Sequence, residues 1–333
     1  MGRFIIRRLI GVVLLLVIVS IATFAVFFMG PKAVGAPVAR NFCGRVCDDD
    51  ALKQVTKKLG LDKPIAEQYW DYAKGIVVGR DYDLGADKTH CAAPCLGYSF
   101  KTDQSVLAQL KDRLPITLSM AIGAAVIWLV SGVTVGIISA LRKGSLFDRG
   151  AMTVALAGVS LPVYFTAVLG LYIFSYKLKI LPNVQYHGFL DNPITWARNL
   201  ILPWICLAFL YSATYARLTR ANMLETMGED YIRTARAKGL SESVVIRKHG
   251  FRAALTPIVT IFGLDLGGLL GGAVLTETVF NFPGLGKMAV DAINTQDLPN
   301  VLGVTLVAAF FIIVANLIVD IAYAYVDPRV RYS

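Results

Sequence analysis

Several apolar runs in this chain are each long enough to cross a lipid bilayer as a single helix. A helix needs about 20 residues to span the hydrocarbon core, and only helices and closed barrels satisfy every backbone polar group within lipid. Barrel strands would be about half as long and would alternate in polarity. Hydrophobic residues make up 56% of the chain and charged residues only 17%. The sequence therefore predicts an all-α polytopic membrane protein.

Six apolar segments are expected to span the membrane. The first is too long for the apolar region of a signal peptide, so we expect it to be retained behind Arg3, Arg7 and Arg8. The six predicted spans cover approximately residues 9–29, 116–141, 151–176, 200–215, 254–275 and 301–325.

The distribution of lysine and arginine predicts the side of the membrane on which each loop lies. Four proposed inner segments hold sixteen of these residues, and the two short outer loops hold four. The long region between the first two spans carries little weight, because long segments are translocated largely regardless of charge. Both termini are therefore expected in the cytoplasm. The net charge of +10 reflects this topology rather than nucleic-acid binding.

This topology divides the chain into three parts. Residues 1–30 form a cytoplasmic tip and the first span, residues 31–114 an extracytoplasmic subdomain, and residues 115–333 a membrane core with a cytoplasmic loop at 217–252. Two amphipathic segments indicate that the subdomain is small and helical. One ends at Gly60, and the other opens at Pro64 and ends at Gly79, which are residues typical of helix boundaries.

Four cysteines bracket the extracytoplasmic subdomain: Cys43, Cys47, Cys91 and Cys95. On the oxidising side of the membrane they most simply form two disulfides, with three possible connectivities. A bridge from the first pair to the second would close a loop of about 45 residues and restrict the unfolded chain. A zinc site assisted by His90 is the alternative. Cys206 lies alone within an apolar run and is interpreted as a packing residue.

No catalytic, cofactor-binding or metal site of its own is predicted for this chain. Residues 283–288 resemble part of a nucleotide-binding loop, but Asn281 and Met288 stand where that loop requires glycine and serine or threonine. The three histidines lie in three separate loops, and no nucleophile with a neighbouring base is evident.

The predicted fifth span combines a stripe of glycines with a carboxylate. Gly263, Gly267 and Gly271 recur every four residues, which favours close packing of another helix over a ligand-binding role. A carboxylate within a span is costly unless it faces protein or water. Asp265 and Ser160 are therefore the candidate residues of a translocation pathway, and a structural hydrogen bond is the alternative for Asp265.

Residues 228–240 form a short charged segment between two long apolar runs. Acidic residues lie at its start and basic residues at its end, which complements a helix dipole, and Gly239 can adopt the left-handed conformation that ends a helix. The pattern favours a helix that contacts a partner protein. Binding of anionic lipid by a basic loop is the alternative.

Six motifs in order along the chain resemble those of permease subunits of ABC importers, in the dipeptide and oligopeptide branch of the binding-protein-dependent systems. The motifs are residues 59–64, 113–118, 158–162, 228–240, 277–280 with 283–286, and 327–329. Each motif is weak alone, but their order matches the topology derived from hydropathy and charge.

This resemblance implies that the segment after the fourth span contains the coupling helix of the family, which docks into a groove on an ATPase. Arg233, Thr234 and Ala235 stand where the general family motif has Glu-Ala-Ala, so the leading glutamate is absent, as is usual in the peptide branch. The coupling residues implied are Tyr231, Arg233, Thr234, Ala235, Arg236, Ala237, Lys238, Gly239 and Leu240.

The resemblance also implies a function and a set of partners. The expected function is ATP-driven import of short peptides across a bacterial cytoplasmic membrane. The expected partners are a homologous second permease, two ATPase subunits that bind ATP and Mg, an extracytoplasmic substrate-binding protein and membrane lipid, without nucleic acid. The alternatives are an importer of nickel or another small solute, a secondary transporter driven by an ion gradient, and a transport-inactive receptor or scaffold.

Overall fold

A computed structural model describes residues 2–29, 39, 48–58, 60–83, 88–181 and 185–326 of the chain. The N-terminal part combines helices with short strands. They are α1 (Gly2–Phe24, continued by π-helical turns at Ala25–Met29), α2 (Asp49–Lys58), α3 (Ile65–Val78), β1 (Arg80–Asp83), β2 (Lys88–Cys91), β3 (Tyr98–Ser99) and β4 (Gln104–Ser105).

The remainder of the described chain is helical. Its elements are α4 (Val106–Leu141), α5 (Leu146–Ser160), α6 (Val163–Gly170, continued by π-helical turns at Leu171–Lys177), α7 (Pro193–Gly228), α8 (Asp230–Ala237), α9 (Glu242–Val244, continued by π-helical turns at Val245–Phe251), α10 (Arg252–Ala254), α11 (Thr256–Leu270), α12 (Val274–Val279), α13 (Leu285–Asn294) and α14 (Leu298–Val326). The predicted fold class, an all-α polytopic membrane protein, is confirmed, whereas the number of spans stays a prediction.

Four helices in the described ranges are long and apolar enough to cross a membrane. They begin at Ile6, Val106, Pro193 and Leu298, and two further candidates are bent pairs of helices. Counting each bent pair as one span gives six spans. One bent pair is α5 with α6, and the other runs from α9 to α11.

The predicted third span is not one straight helix. Helices α5 and α6 meet at an angle of 101°, and the break falls at Leu161 and Pro162. Proline has no N–H to donate, and it disfavours the helical conformation of the residue before it. Leu161 is accordingly extended, with φ −89° and ψ 127°. The apolar run concealed this break because both helices are hydrophobic.

Two other spans are longer than their apolar cores. Helix α4 begins at Val106, where the Ser105 hydroxyl accepts a hydrogen bond from the Ala108 N–H at 3.2 Å as an N-cap. Helix α7 extends from Pro193 to Gly228, beyond the predicted residues 200–215 at both ends. Hydropathy marks where a helix leaves lipid, whereas backbone hydrogen bonding continues through the polar turns beyond it.

The predicted extracytoplasmic region contains strands in addition to helices. Helices α2 and α3 lie close to their predicted positions, and Gly60 and Gly79 have the positive φ values, +65° and +91°, that end them. Strands β1 and β2 pair antiparallel, as do β3 and β4. The two predicted helices are present, and the short strands are additions that the sequence did not predict. Strands of two to four residues are too short to show a period in the sequence.

A disulfide joins Cys91 to Cys95. Because Cys91 and Cys95 are bonded to each other, neither is available for a bridge to Cys43 or Cys47. The alternative of a zinc site loses the same two cysteines as ligands. His90 instead contacts Asp81, and the described residues contain no group of three potential metal ligands. Cys43 and Cys47 lie outside the described residues. Cys206 is a free, buried thiol on α7.

Glycines permit two close helix contacts in the membrane core. On α4, a Cβ at Gly136 would lie 2.6 Å from the Cβ of Thr219 on α7. On α11, a Cβ at Gly267 would lie 2.7 Å from the Cβ of Ala315 on α14, and Gly263 and Gly271 also face α14. The predicted packing role of the glycine stripe is confirmed.

Candidate functional site

Helix α8 is a short amphipathic helix directly after the long helix α7. Ile232 and Ala235 are buried, and they pack against Val245 and Met227. The remaining side chains of α8 are exposed. The helix is therefore held by one apolar face and presents a charged face outward.

Gly239 ends this helical segment in the left-handed conformation, with φ +78°. Its N–H donates to the Arg236 carbonyl at 2.9 Å, and the Leu240 N–H donates to the Ala235 carbonyl at 3.4 Å. A Cβ at Gly239 would meet no atom within 4 Å, so the backbone conformation, not space, requires glycine here. The prediction that Gly239 forms the helix stop is confirmed.

An ion pair closes the turn between α8 and α9. The Arg236 guanidinium donates to both oxygens of Glu242, at 3.1 and 2.7 Å. These hydrogen bonds raise the pKa of Arg236. Both side chains are about half exposed, so the pair adds little to the stability of the protein. The pair nevertheless links the end of α8 to the start of α9.

The predicted coupling residues do not all face the same way. Ala235 points inward, and its methyl group belongs to the apolar contact that holds α8. The other eight are exposed and form what we call the coupling face: Tyr231, Arg233, Thr234, Arg236, Ala237, Lys238, Gly239 and Leu240.

The two candidate pathway residues have separate partners. Asp265 on α11 is partly buried and accepts a hydrogen bond of 2.9 Å from the hydroxyl of Tyr215, a fully buried residue on α7. Ser160 is exposed at the end of α5, and its hydroxyl donates to the Leu156 carbonyl at 2.8 Å. The hydrogen bond gives Asp265 a role in linking α7 to α11. A place in the pathway stays a prediction for both residues.

Glu277 is a buried residue to which sequence reasoning assigned no role, although it lies in a quoted motif. One carboxylate oxygen accepts from the Thr117 hydroxyl at 2.8 Å and from the Ala273 N–H at 3.3 Å. The other accepts from the Lys287 N–H at 2.9 Å. The Thr117 hydroxyl in turn accepts from the Leu285 N–H at 2.8 Å. This network joins α4 to the loop between α12 and α13.

The glycines of residues 283–286 allow this loop to close around Glu277. A Cβ at Gly284 would lie 2.4 Å from the Glu277 carboxyl carbon, and one at Gly286 would lie 2.7 Å from the backbone of Val274. A Cβ at Gly272, where φ is +133°, would lie 2.7 Å from the backbone of Gly286. The glycine-rich motif that superficially resembles a phosphate loop is therefore a structural loop around a carboxylate.

The buried residue Asp148 and the partly buried residue Arg220 form an ion pair that sequence reasoning also missed. The available signal was a single acidic residue within a basic loop, near Arg142, Lys143 and Arg149. The guanidinium of Arg220 contacts both oxygens of Asp148, at 2.6 and 2.8 Å.

Comparison with known proteins identifies the family. The protein-family model described as binding-protein-dependent transport system inner membrane component matches residues 132–332. The family model for the N-terminal part of these membrane components matches residues 1–121. The chain is 38% identical over 333 residues to a putative peptide transport system permease protein of Brucella abortus, with 100% of both chains covered.

Two further relatives are similar over almost their whole length. The di/tripeptide transport system permease protein of Pseudomonas aeruginosa is 37% identical, with 95% of this chain and 94% of that protein covered. The glutathione transport system permease protein of Escherichia coli is 36% identical, with 100% of both chains covered. The chain therefore belongs to the family of inner membrane components of binding-protein-dependent transport systems.

Proposed function

We propose that this chain is a permease subunit of an ATP-driven importer of short peptides and that the coupling face of α8 docks on an ATPase subunit. The observation that carries the proposal is an exposed charged helix that directly follows the long helix α7 and is held by a buried apolar cluster. Peptides are the favoured substrate because three similar permeases have names that refer to the transport of peptides, di- and tripeptides, or glutathione.

The partner assignment rests on the family, because an inner membrane component of a binding-protein-dependent transport system implies separate partner subunits. We assign ATP and Mg to two ATPase subunits, and residues 283–288 form a loop around Glu277 rather than a nucleotide loop. A homologous second permease would complete the membrane pathway, and a substrate-binding protein would deliver the peptide. Both termini and α8 lie on the cytoplasmic side in this proposal, as the distribution of lysine and arginine supports.

The proposed mechanism depends on α8 and the helical segment that follows it, at residues 242–251. Ile232 and Val245 are both fully buried and belong to one apolar cluster, so α8 and this segment would move together. A rigid-body movement of a bound ATPase would be transmitted through them to α7 on one side and to α11 on the other. Because Tyr215 and Asp265 link α7 to α11, the two helices would shift together and open the pathway alternately to each side.

Transport by a reconstituted complex tests this function. Vesicles containing the chain, its partner permease, the ATPases and the binding protein are supplied with a mixture of labelled di- and tripeptides. We expect uptake that requires ATP. Uptake driven by an imposed proton gradient without ATP would establish a secondary transporter instead, and ATP-dependent uptake of nickel but not peptides would correct the substrate.

Substitution of Gly239 by valine tests the coupling face. Valine at φ +78° is strained by roughly 1–2 kcal/mol or more, which should shift the α8 turn. We expect peptide uptake to fall severalfold in the reconstituted complex. Gly150→Val is the matched control, because Gly150 is an exposed glycine in α5 where a Cβ meets no atom within 4 Å. Equal uptake by both variants would contradict the coupling assignment.

A further inference from the structure

Asp148 is a charged residue that is almost completely buried near the start of α5. Only 4% of its side chain is exposed, whereas 25% of the side chain of its partner, Arg220, is exposed. Both oxygens of Asp148 accept hydrogen bonds from Arg220, in the bidentate geometry that fixes orientation as well as distance. A buried carboxylate is costly to desolvate unless its oxygens are satisfied in this way.

Three further hydrogen bonds hold Asp148 to the end of α4 and to the turn before α5. Its carboxylate accepts from the Ser139 hydroxyl, at the end of α4, and from the Gly144 N–H at 2.9 Å. Its own N–H donates to the Ser145 hydroxyl at 3.2 Å, which caps α5. Gly144 adopts φ +81°, so the turn is tight. Asp148 therefore joins the end of α4, the turn and the start of α5 into one unit.

Arg220 connects this unit to the coupling face. It lies on α7, eight residues before the helix ends at Gly228, which is about 12 Å along a helix. Helix α8 follows almost immediately, and Met227 of α7 packs in the same apolar cluster as Ile232. A displacement of α8 would thus reach Arg220 through continuous helix and packed side chains.

The other end of α5 leads into the bend between α5 and α6. Helix α5 runs from Leu146 to Ser160, where the chain bends by 101° into α6. Movement of the α4–α5 turn would therefore displace the bend and the candidate pathway residue beside it. No other ion pair between the described residues joins α7 to α5.

We infer that Asp148 and Arg220 are a positioning pair that transmits movement of the coupling face to the bent α5–α6 element. The inference rests on the proposed function, because it assigns a direction of transmission within the same importer. Neither residue contacts the ATPase or the peptide in this scheme. The pair determines how much peptide is moved for each ATP hydrolysed.

The test measures the number of peptides imported for each ATP hydrolysed by the reconstituted complex, with a mixture of labelled di- and tripeptides. For Arg220→Gln we expect assembly and ATP hydrolysis to persist while this ratio falls by roughly fivefold or more, the lower end of typical coupling between sites. Arg220→Lys keeps the charge but not the bidentate contact and should give an intermediate ratio. Arg149→Gln is the matched control, because Arg149 is an exposed arginine next to Asp148.

Each outcome decides the inference. An unchanged ratio in Arg220→Gln, or an equal fall in Arg149→Gln, would overturn it while leaving the importer assignment intact. If Arg220→Gln does not assemble, Arg220→Lys decides the matter by the same ratio, and failure of both to assemble would make the pair a requirement for folding and overturn the inference. Absence of ATP-dependent uptake by the unsubstituted complex would instead refute the proposed function.

Discussion

The side chains of Thr117 and Glu277 have no exposed surface. They form a hydrogen bond with each other and accept hydrogen bonds from backbone N–H groups near the glycine loop. The Thr117 hydroxyl donates to the carboxylate and accepts from the Leu285 N–H, so one side chain fills two roles. Buried polar groups are tolerated when each has a hydrogen-bond partner. Removing one partner destabilises the protein, because the other group stays buried without a hydrogen bond. This network therefore fixes the position of the glycine loop relative to α4.

Replacement of Thr117 by valine should destabilise the protein by about 1–3 kcal/mol, because the Leu285 N–H loses its acceptor and Glu277 loses a donor at unchanged volume. Thermal unfolding of the purified chain in detergent measures the effect as a lower midpoint temperature.

The control for this substitution is Thr153→Val on α5. The Thr153 hydroxyl donates only to the Arg149 carbonyl of its own helix, at 2.9 Å, and the residue is exposed. We expect a change of less than about 0.5 kcal/mol there, as for most surface substitutions. Similar losses at both positions would show that the buried network is not the cause.

At the scale of helices and strands, the sequence predicted what depends on long apolar runs and boundary residues. The positions of the membrane helices, the glycine stripe and the helix stop at Gly239 follow from hydropathy, spacing and backbone preference. The sequence did not predict the bend at Pro162, because the helices on both sides of it are apolar. The Asp148–Arg220 pair and the Glu277 network did not follow either, because they join residues 72 and 160 positions apart, which no local pattern reports.

The glycine stripe on α11 gives a prediction with a matched neighbour. A side chain at Gly267 would collide with α14, because its Cβ would lie 2.7 Å from the Cβ of Ala315. Overpacking of this kind typically costs about 1–3 kcal/mol, so Gly267→Val should lower the unfolding midpoint of the purified chain. A Cβ at Gly268 would meet no atom within 4 Å, and Gly268→Val should be tolerated. The reverse order of stability would mean that α11 packs through another face.

For the whole molecule, the contacts describe two closely packed helix pairs that are joined by apolar clusters and by a few polar links. Helix α4 packs on α7, and α11 packs on α14, through glycines in each case. Between the pairs, Tyr215 of α7 donates to Asp265 of α11. Helix α1 adds to the second pair through an ion pair of 2.5 Å between Arg8 and Asp320. The hydrogen bond between Tyr215 and Asp265 joins α7 to α11, as the proposed mechanism requires, because there the two helices shift together.

Labelling of single cysteines with a membrane-impermeant maleimide tests the six-span topology. Lys143→Cys and His187→Cys flank the bent α5–α6 element, and both native residues are exposed. If this element crosses the membrane, intact cells should label His187→Cys, and Lys143→Cys should react only after permeabilisation. The unsubstituted chain measures the background from its native cysteines.

A third position makes the labelling result decisive. Ser243 lies beyond α7, a continuous helix of 36 residues that is long and apolar enough to cross the bilayer, so Ser243→Cys and His187→Cys should react from opposite sides. If the α5–α6 bend instead returns the chain to the side from which it came, His187→Cys and Lys143→Cys should both react only after permeabilisation. Ser243→Cys should then react in intact cells, because α7 would place it on the outer side. That result would remove α8 from the cytoplasm, and with it the docking of an ATPase on the coupling face.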